Sequence, residues 1–191
     1  ELTTSTDDLA AKGHRYPWLR QSWDEAFDGD TERRIARTRS NYHGMLRLID
    51  DQFRRLIDGV KERGLYDNTI IVYLADHGDF AGEYGLIRKG PDLPEVLTRV
   101  PMIWHIPSGP EQCAKDDCFV NIVDIFPTLC RMIGEETPFG VQGRNLLPLL
   151  KGEPVNPKEF ATAYAETGFS GLYWDENDGL QKTVEGAVNP G

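Results

Sequence analysis

Basic residues are in the minority in this 191-residue chain: 21 lysines and arginines stand against 31 aspartates and glutamates, a formal charge of −10. That deficit argues against non-specific binding to nucleic acid or to an anionic membrane, both of which need basic faces. An anionic ligand would have to be held by a local cationic pocket. Long apolar runs are also missing; the longest are strand-sized, too short to span a bilayer. Cysteine is scarce, with three in all, so at least one is unpaired. Cys113 and Cys118 bracket Ala-Lys-Asp-Asp, where a disulfide and two thiols are equally open readings. A ring that small would add about 2 kcal/mol at best. Neither the spacing nor the neighbours offer the second ligand pair that zinc would want. Cys130 sits in an apolar stretch, Phe126 to Ile133, and reads as a buried helical thiol. Of the four histidines, His14 and His43 have nothing site-like beside them, and His105 reads as a core or edge residue within a strand.

What is present fits a packed α/β protein. The apolar fraction is 39%, and 19 glycines bring the total near the globular average, so a core is expected. The length suits about one domain, or a large piece of a bigger one. The chain begins at Glu1 without methionine or a signal-like stretch and ends in Ala187-Val188-Asn189-Pro190-Gly191. Both ends read as interruptions, so a fragment is the expectation and the compartment is not legible.

Residues 1–30 read as an irregular lead-in, polar and punctuated by Gly13, Pro17 and Gly29, with Tyr16, Trp18 and Trp23 as anchors. Asp30-Thr31 can cap a helix. Tyr42, Leu46, Ile49, Phe53, Leu56 and Val60 then recur at steps of four and three, a single apolar stripe. Asp50–Arg54 and Asp51–Arg55 are i,i+4 pairs with the acid first, suited to the exposed face. Gly64 stops the helix and Asp67-Asn68 turns the chain.

Next comes the most informative run, Thr69-Ile70-Ile71-Val72-Tyr73-Leu74-Ala75. It is uninterrupted rather than alternating, which predicts a strand buried on both faces, as in a parallel sheet covered by helices. It ends in Asp76-His77-Gly78, and Lys89-Gly90 follows within a glycine-rich loop. Ligands gather beyond the carboxyl ends of such strands. A carboxylate and an imidazole delivered there are two ready metal ligands, and the lysine can bring a positive charge to the same spot. Chemistry on an anionic substrate is the function this suggests. The competing reading is an ordinary turn, with Asp76 accepting backbone hydrogen bonds and Gly78 easing the bend.

Val100-Pro101-Met102-Ile103-Trp104-His105-Ile106 reads as a second strand with proline at its start. Asp124 reads as the cap of a short helix with Pro127 in its first turn. Residues 140–152 read as a loop bearing four leucines. Phe160 to Ala165 is a third strand candidate and Leu172-Tyr173-Trp174 a fourth. No internal repeat is visible.

The order of these pieces resembles the later part of the sulfatase family, within the alkaline phosphatase superfamily. The resemblance runs from Tyr42 to about Glu166. Its motifs are Ile49-Asp50-Asp51, Asp67-Asn68-Thr69, Asp76-His77-Gly78-Asp79, Gly82-Glu83-Tyr84-Gly85-Leu86, Lys89-Gly90-Pro91, Arg99-Val100-Pro101, Asp124-Ile125-Phe126-Pro127-Thr128-Leu129 and Gln142-Gly143-Arg144-Asn145-Leu146-Leu147-Pro148-Leu149-Leu150. Each is weak alone; the fixed order is what carries the resemblance.

The resemblance implies an alkaline-phosphatase-like central mixed sheet flanked by helices, here only a partial domain. Residues 31–165 would be the later part of the catalytic domain and 166–191 the start of a C-terminal segment. It further implies metal-dependent hydrolysis of a small anionic substrate, a sulfate ester. Asp76 and His77 match the late pair of ligands for a divalent cation, most often calcium, with manganese or zinc admitted by the imidazole. Lys89 matches a catalytic, substrate-binding lysine. The family's nucleophile, a formylglycine made within Cys/Ser-x-Pro/Ala-x-Arg, has no counterpart, since no cysteine or serine here has that context. The early aspartate pair is absent as well. Glu95 either lines the substrate pocket or supports its loop. A phosphonate or phosphodiester hydrolase of the same superfamily, and a non-catalytic binding fragment, remain open alternatives.

Overall fold

The computed structural model describes residues 15–90, 92–107, 109 and 118–166, with 9, 11 and 13 before them and the backbone of 174–175 and 179–180 after. In chain order the elements are α1 (Arg15–Ala26), α2 (Thr31–Glu62), β1 (Ile71–Leu74), β2 (Phe80–Ala81), β3 (Ile87–Arg88), α3 (Glu95–Thr98), β4 (Met102–His105), α4 (Ile125–Ile133), α5 (Leu147–Leu150), β5 (Trp174–Asp175) and β6 (Gly179–Leu180). They fall into two compact units. One draws on residues up to Leu56 and on His77–Val100, the other on Ile57–Asp76 and Pro101–Ala165.

In the first unit, the stretch expected to be irregular contains helix α1. The punctuating residues bracket the helix instead of breaking it. Gly13 and Gly29 take positive φ of 108° and 77° outside it, and Pro17 lies in the first turn, where its missing N–H costs no bond. Arg20–Asp24 and Gln21–Glu25 add i,i+4 links. The helix buries Tyr16 in a cluster with Leu9, Phe80, Leu86 and Leu97, flanked by Leu19, Trp23, Tyr84 and Val96. His14 lies outside the described residues.

Helix α2 starts where the cap signal places it: the Asp30 carbonyl accepts the Arg34 N–H at 3.1 Å. Glu32 in the first turn and Lys61 in the last suit the helix dipole. Asp50 pairs with Arg54 as expected, but Asp51 turns back to Arg47, at 3.3 Å, and Arg55 bonds Gln52. An acid with arginines four residues away on either side has two partners within reach. The apolar stripe is only partly covered: Leu46, Ile49 and Leu56 remain 47%, 48% and 57% exposed.

In the second unit, α2 ends in a Schellman motif around Gly64 (φ 64°), with Gly64 N–H on Lys61 O and Leu65 N–H on Val60 O. β1 then pairs antiparallel with β4, Ile71 opposite His105 and Leu74 opposite Met102. The expectation of a strand buried on both faces fails, because all four β1 residues are half-buried. Unbroken apolarity cannot distinguish a doubly covered strand from one in a two-stranded ribbon. His105 is a packing residue, as read. Its ring stacks on Tyr66 at 4.0 Å and its Nε2–H donates to the Tyr66 carbonyl.

The core of this unit is Leu146, Leu150 and Phe160, with Met102, Trp104, Ile106, Cys118 and Met132 against it. The supposed loop 140–152 therefore contains a buried helical turn, α5, with Pro148 at its start. Phe160 to Ala165 is no strand; it is a turn followed by irregular chain. Only Phe160 of that stretch is buried, so no alternating face exists to pair. Asp124 does precede α4, but its side chain makes no bond to the helix amides. It accepts the N–H groups of Asn121 and Arg144 at 2.8 and 2.7 Å instead. Cys130 is buried in α4. Cys113, and most of the fourth strand candidate, lie outside the described residues; of that candidate, Trp174 pairs through its backbone with Leu180. Among the described residues no helix is long and apolar enough to cross a membrane.

Candidate active site

Asp76, exposed, is the second residue after β1 and closes its segment of the second unit. His77 opens the segment of the first unit that carries Lys89. Two contacts pin this segment at its start. The Gly78 N–H donates to Leu97 O at 2.9 Å, and a Cβ at position 78 would run into the Val96 carbonyl. Only glycine fits there. Phe80 then enters the core and β2 turns into β3, Phe80 opposite Arg88 and Ala81 opposite Ile87.

The turn between them is unusual in its backbone. Gly82 and Gly85 have φ of 119° and 68°, and Tyr84 and Arg88 take left-handed φ of 55° and 66°. Bulky residues adopt that region only when their surroundings over-determine it. Glu83 accepts the Ala81 N–H at 2.6 Å, Tyr84 meets Tyr16 and Phe80 edge-on, and the Arg88 guanidinium lies 5.6 Å from the Trp23 ring. Lys89 is the next residue.

The Lys89 ammonium donates to Nε2 of His77. On the other side of the ring, Nδ1 lies 2.9 Å from the Gly78 carbonyl. A carbonyl can only accept, so Nδ1 carries the proton and Nε2 presents the lone pair. That tautomer is the one a metal-binding histidine adopts when its second nitrogen is held by a carbonyl. His77 is half-buried and Lys89 exposed. Tyr42 of α2 belongs to the same unit. Burial pushes its phenol up from the ordinary value, and the negative charges of Asp79 and Glu83 add to the shift.

Of the residues read from the sequence, His77 and Lys89 are thus in contact. Glu95 is exposed at the start of α3 and pairs with Arg99, just past its end, at 2.8 Å. His43 is exposed. Arg39 and Arg20 went unnoticed in the sequence. They hydrogen-bond Ala81 O and Gly85 O from 42 and 65 residues away, separations that carry no local pattern. Among the described residues no group of three or more His, Cys, Asp or Glu could hold a metal ion. The tautomer of His77 fits a ligand role, and the donors here make at most part of a coordination shell.

A family model described as Sulfatase matches residues 10–135. An N-acetylglucosamine-6-O-sulfatase of Bacteroides thetaiotaomicron is 32% identical over 64% of this chain and 22% of its own length. The phosphonate monoester hydrolase of Silicibacter pomeroyi superposes with a TM-score of 0.65 at 27% identity, over 79% of this chain and 31% of that one. A protein solved with its substrate D-glucosamine-2-N,6-O-disulfate superposes at 0.50 with 30% identity, over 67% and 25%. The chain spans under a third of the length of each.

Proposed function

The chain belongs to the sulfatase family, within the alkaline phosphatase superfamily, and on that premise we propose that it forms part of a metal-dependent hydrolase of sulfate esters. The observation that carries this reading is the pairing of Lys89, next after the β2–β3 hairpin, with the Nε2 lone pair of His77. Asp76 and His77 would hold the divalent cation together with donors from outside the described residues, since calcium takes six to eight oxygens. When bound, such a cation neutralises the non-bridging oxygens of the ester.

The chain's own residues do three things in this proposal. Gly78 O keeps the proton on Nδ1 of His77, so that Nε2 would be the coordinating atom. Asp76 supplies a carboxylate, the donor type that favours a hard cation. Lys89 would present its ammonium to the anionic group of the substrate from the position in which the hairpin holds it. A cation fixed in place beforehand stabilises charge developing on the leaving oxygen without reorganisation. The nucleophile would come from elsewhere in the protein.

A second reading keeps the site and changes the substrate to a phosphonate or phosphodiester. The better superposition on the phosphonate monoester hydrolase favours it. Turnover of an aryl sulfate and an aryl phosphonate by the whole protein, before and after chelation and with calcium or manganese restored, separates the two. Faster sulfate turnover that disappears with the metal supports the first reading, and faster phosphonate turnover the second. Turnover of neither by the metal-loaded protein would leave the non-catalytic alternative.

A further inference from the structure

We propose that Arg39 and Arg20 are positioning residues that hold the β2–β3 hairpin and so aim Lys89. The inference rests on the role just assigned to Lys89. Two helices each send one arginine to the hairpin turn. From α2, Arg39 Nε donates to Ala81 O at 3.0 Å. From α1, Arg20 Nη1 donates to Gly85 O at 3.3 Å and to Glu32 at 2.9 Å, while Nε of the same guanidinium donates to Asp24 at 3.1 Å. The carbonyls they hold flank the turn, one at each end.

The fit leaves no slack. A Cβ on Gly82 would strike the Arg39 guanidinium and come within 2.8 Å of Ile35 Cγ2, so helix and turn are in direct contact. Between the two clamped carbonyls lies left-handed Tyr84, and beyond them left-handed Arg88 is docked on Trp23 of α1. A backbone in this conformation relaxes unless it is held from outside. What relaxation would change is the direction in which the chain leaves Arg88. That direction is where Lys89 points. The arginines reach backbone rather than any reacting group, so their effect on chemistry passes through Lys89.

The test uses the whole protein with Arg39→Met, Arg39→Lys, Arg20→Met, Lys89→Ala and the double variant Arg39→Met/Lys89→Ala. Arg47→Met, which removes an arginine from the solvent face of the same helix, is the control. Arg39→Met should lower kcat on an aryl sulfate about tenfold, with KM and melting temperature little changed, because a small misplacement of a catalytic group costs rate more than binding. Hydrogen exchange should speed up in residues 80–90 alone. Arg39→Lys, which can still donate to Ala81 O, should restore most of kcat, and Arg47→Met should match wild type. In the Lys89→Ala background, Arg39→Met should cost nothing further.

Additive losses in the double variant, or unchanged exchange in the hairpin, would overturn the proposal. So would a loss in Lys89→Ala with none in Arg39→Met, leaving the role of Lys89 intact. Unchanged turnover in Lys89→Ala would instead bring down that role and the proposal with it. Should Arg39→Met fail to fold, Arg20→Met, alone and in the Lys89→Ala background, carries the same comparisons.

Discussion

Asp124 and Arg144, twenty residues apart, are joined through both backbone and side chain. The Arg144 N–H donates to Oδ1 at 2.7 Å and Nη2 to Oδ2 at 3.0 Å. Arg144 also donates to Glu159 O and Phe119 O and lies over the Phe160 ring. One guanidinium thereby gathers three separate stretches of chain around a carboxylate that is 1% exposed. Removing the Arg144 side chain leaves that buried carboxylate without its counter-ion, held by two backbone N–H groups alone. Arg144→Met should destabilise the protein by about 3–5 kcal/mol, whereas Asp51→Ala on the exposed face of α2 should cost under about 1 kcal/mol. Urea midpoints of the two variants check the contrast.

Lys89 is exposed and contributes little packing, so its loss should be felt in rate alone. Lys89→Ala in the whole protein should lower turnover of a sulfate ester by about a hundredfold. The melting temperature should stay within about a degree of wild type. Steady-state kinetics beside a thermal melt measures both. Unchanged kinetics would make Lys89 a surface lysine.

Helix α2 and the end of β1 are legible in the sequence, because a 3.6-residue stripe and an abrupt Asp-His-Gly after an apolar run are local signals. Helix α1 was hidden by its own boundary residues: Gly13, Pro17 and Gly29 look like loop punctuation until one sees that they lie at its edges. Helix α5 was hidden in the same way by Pro148. Phe160 to Ala165 looked like a strand because it has aromatic and β-branched residues, yet only Phe160 has anything to pack on. Within the site, His77 and Lys89 could be named but their contact could not. Arg39 and Arg20 were illegible because a side chain bonding a distant carbonyl leaves no mark on composition or spacing.

The chain as it stands offers one carboxylate and one imidazole in sequence at Asp76 and His77, far short of a calcium shell. Calorimetric titration of these 191 residues with calcium and manganese should give affinities weaker than about 0.1 mM. An aryl sulfate assay on the same sample should give no turnover. Tight stoichiometric binding, or turnover abolished by Asp76→Ala, would mean that a complete site exists within these residues.

Tyr42 gives the site a pH signature on the alkaline side. Burial first, then Asp79 and Glu83, raise its pKa above the ordinary 10.0. A phenol whose folded pKa exceeds its unfolded one stabilises the fold fully below the unfolded value and loses that contribution as pH rises through the folded one. Tyr42→Phe should therefore leave stability at neutral pH nearly unchanged and flatten its decline above about pH 10. Some slope should survive, because burial and Asp92 raise Tyr16 as well. Urea unfolding of both proteins from neutral pH upward shows whether the curves separate. Parallel curves would exclude the shift.

Gly78 sets a different clock from its neighbours. The Val96 carbonyl forbids any side chain there, and Gly143 is under the same ban from the Val123 carbonyl. These are demands of folding, in force whether or not a substrate is ever turned over. In the roles proposed for them, His77 and Lys89 answer to chemistry instead. In a duplicated gene freed from catalytic duty, the two glycines would stay while the histidine and lysine drifted. A descendant keeping Gly78 and Gly143 but lacking Lys89 would be a scaffold that has outlived its reaction, whereas loss of the glycines would mark a gene that no longer makes a folded protein.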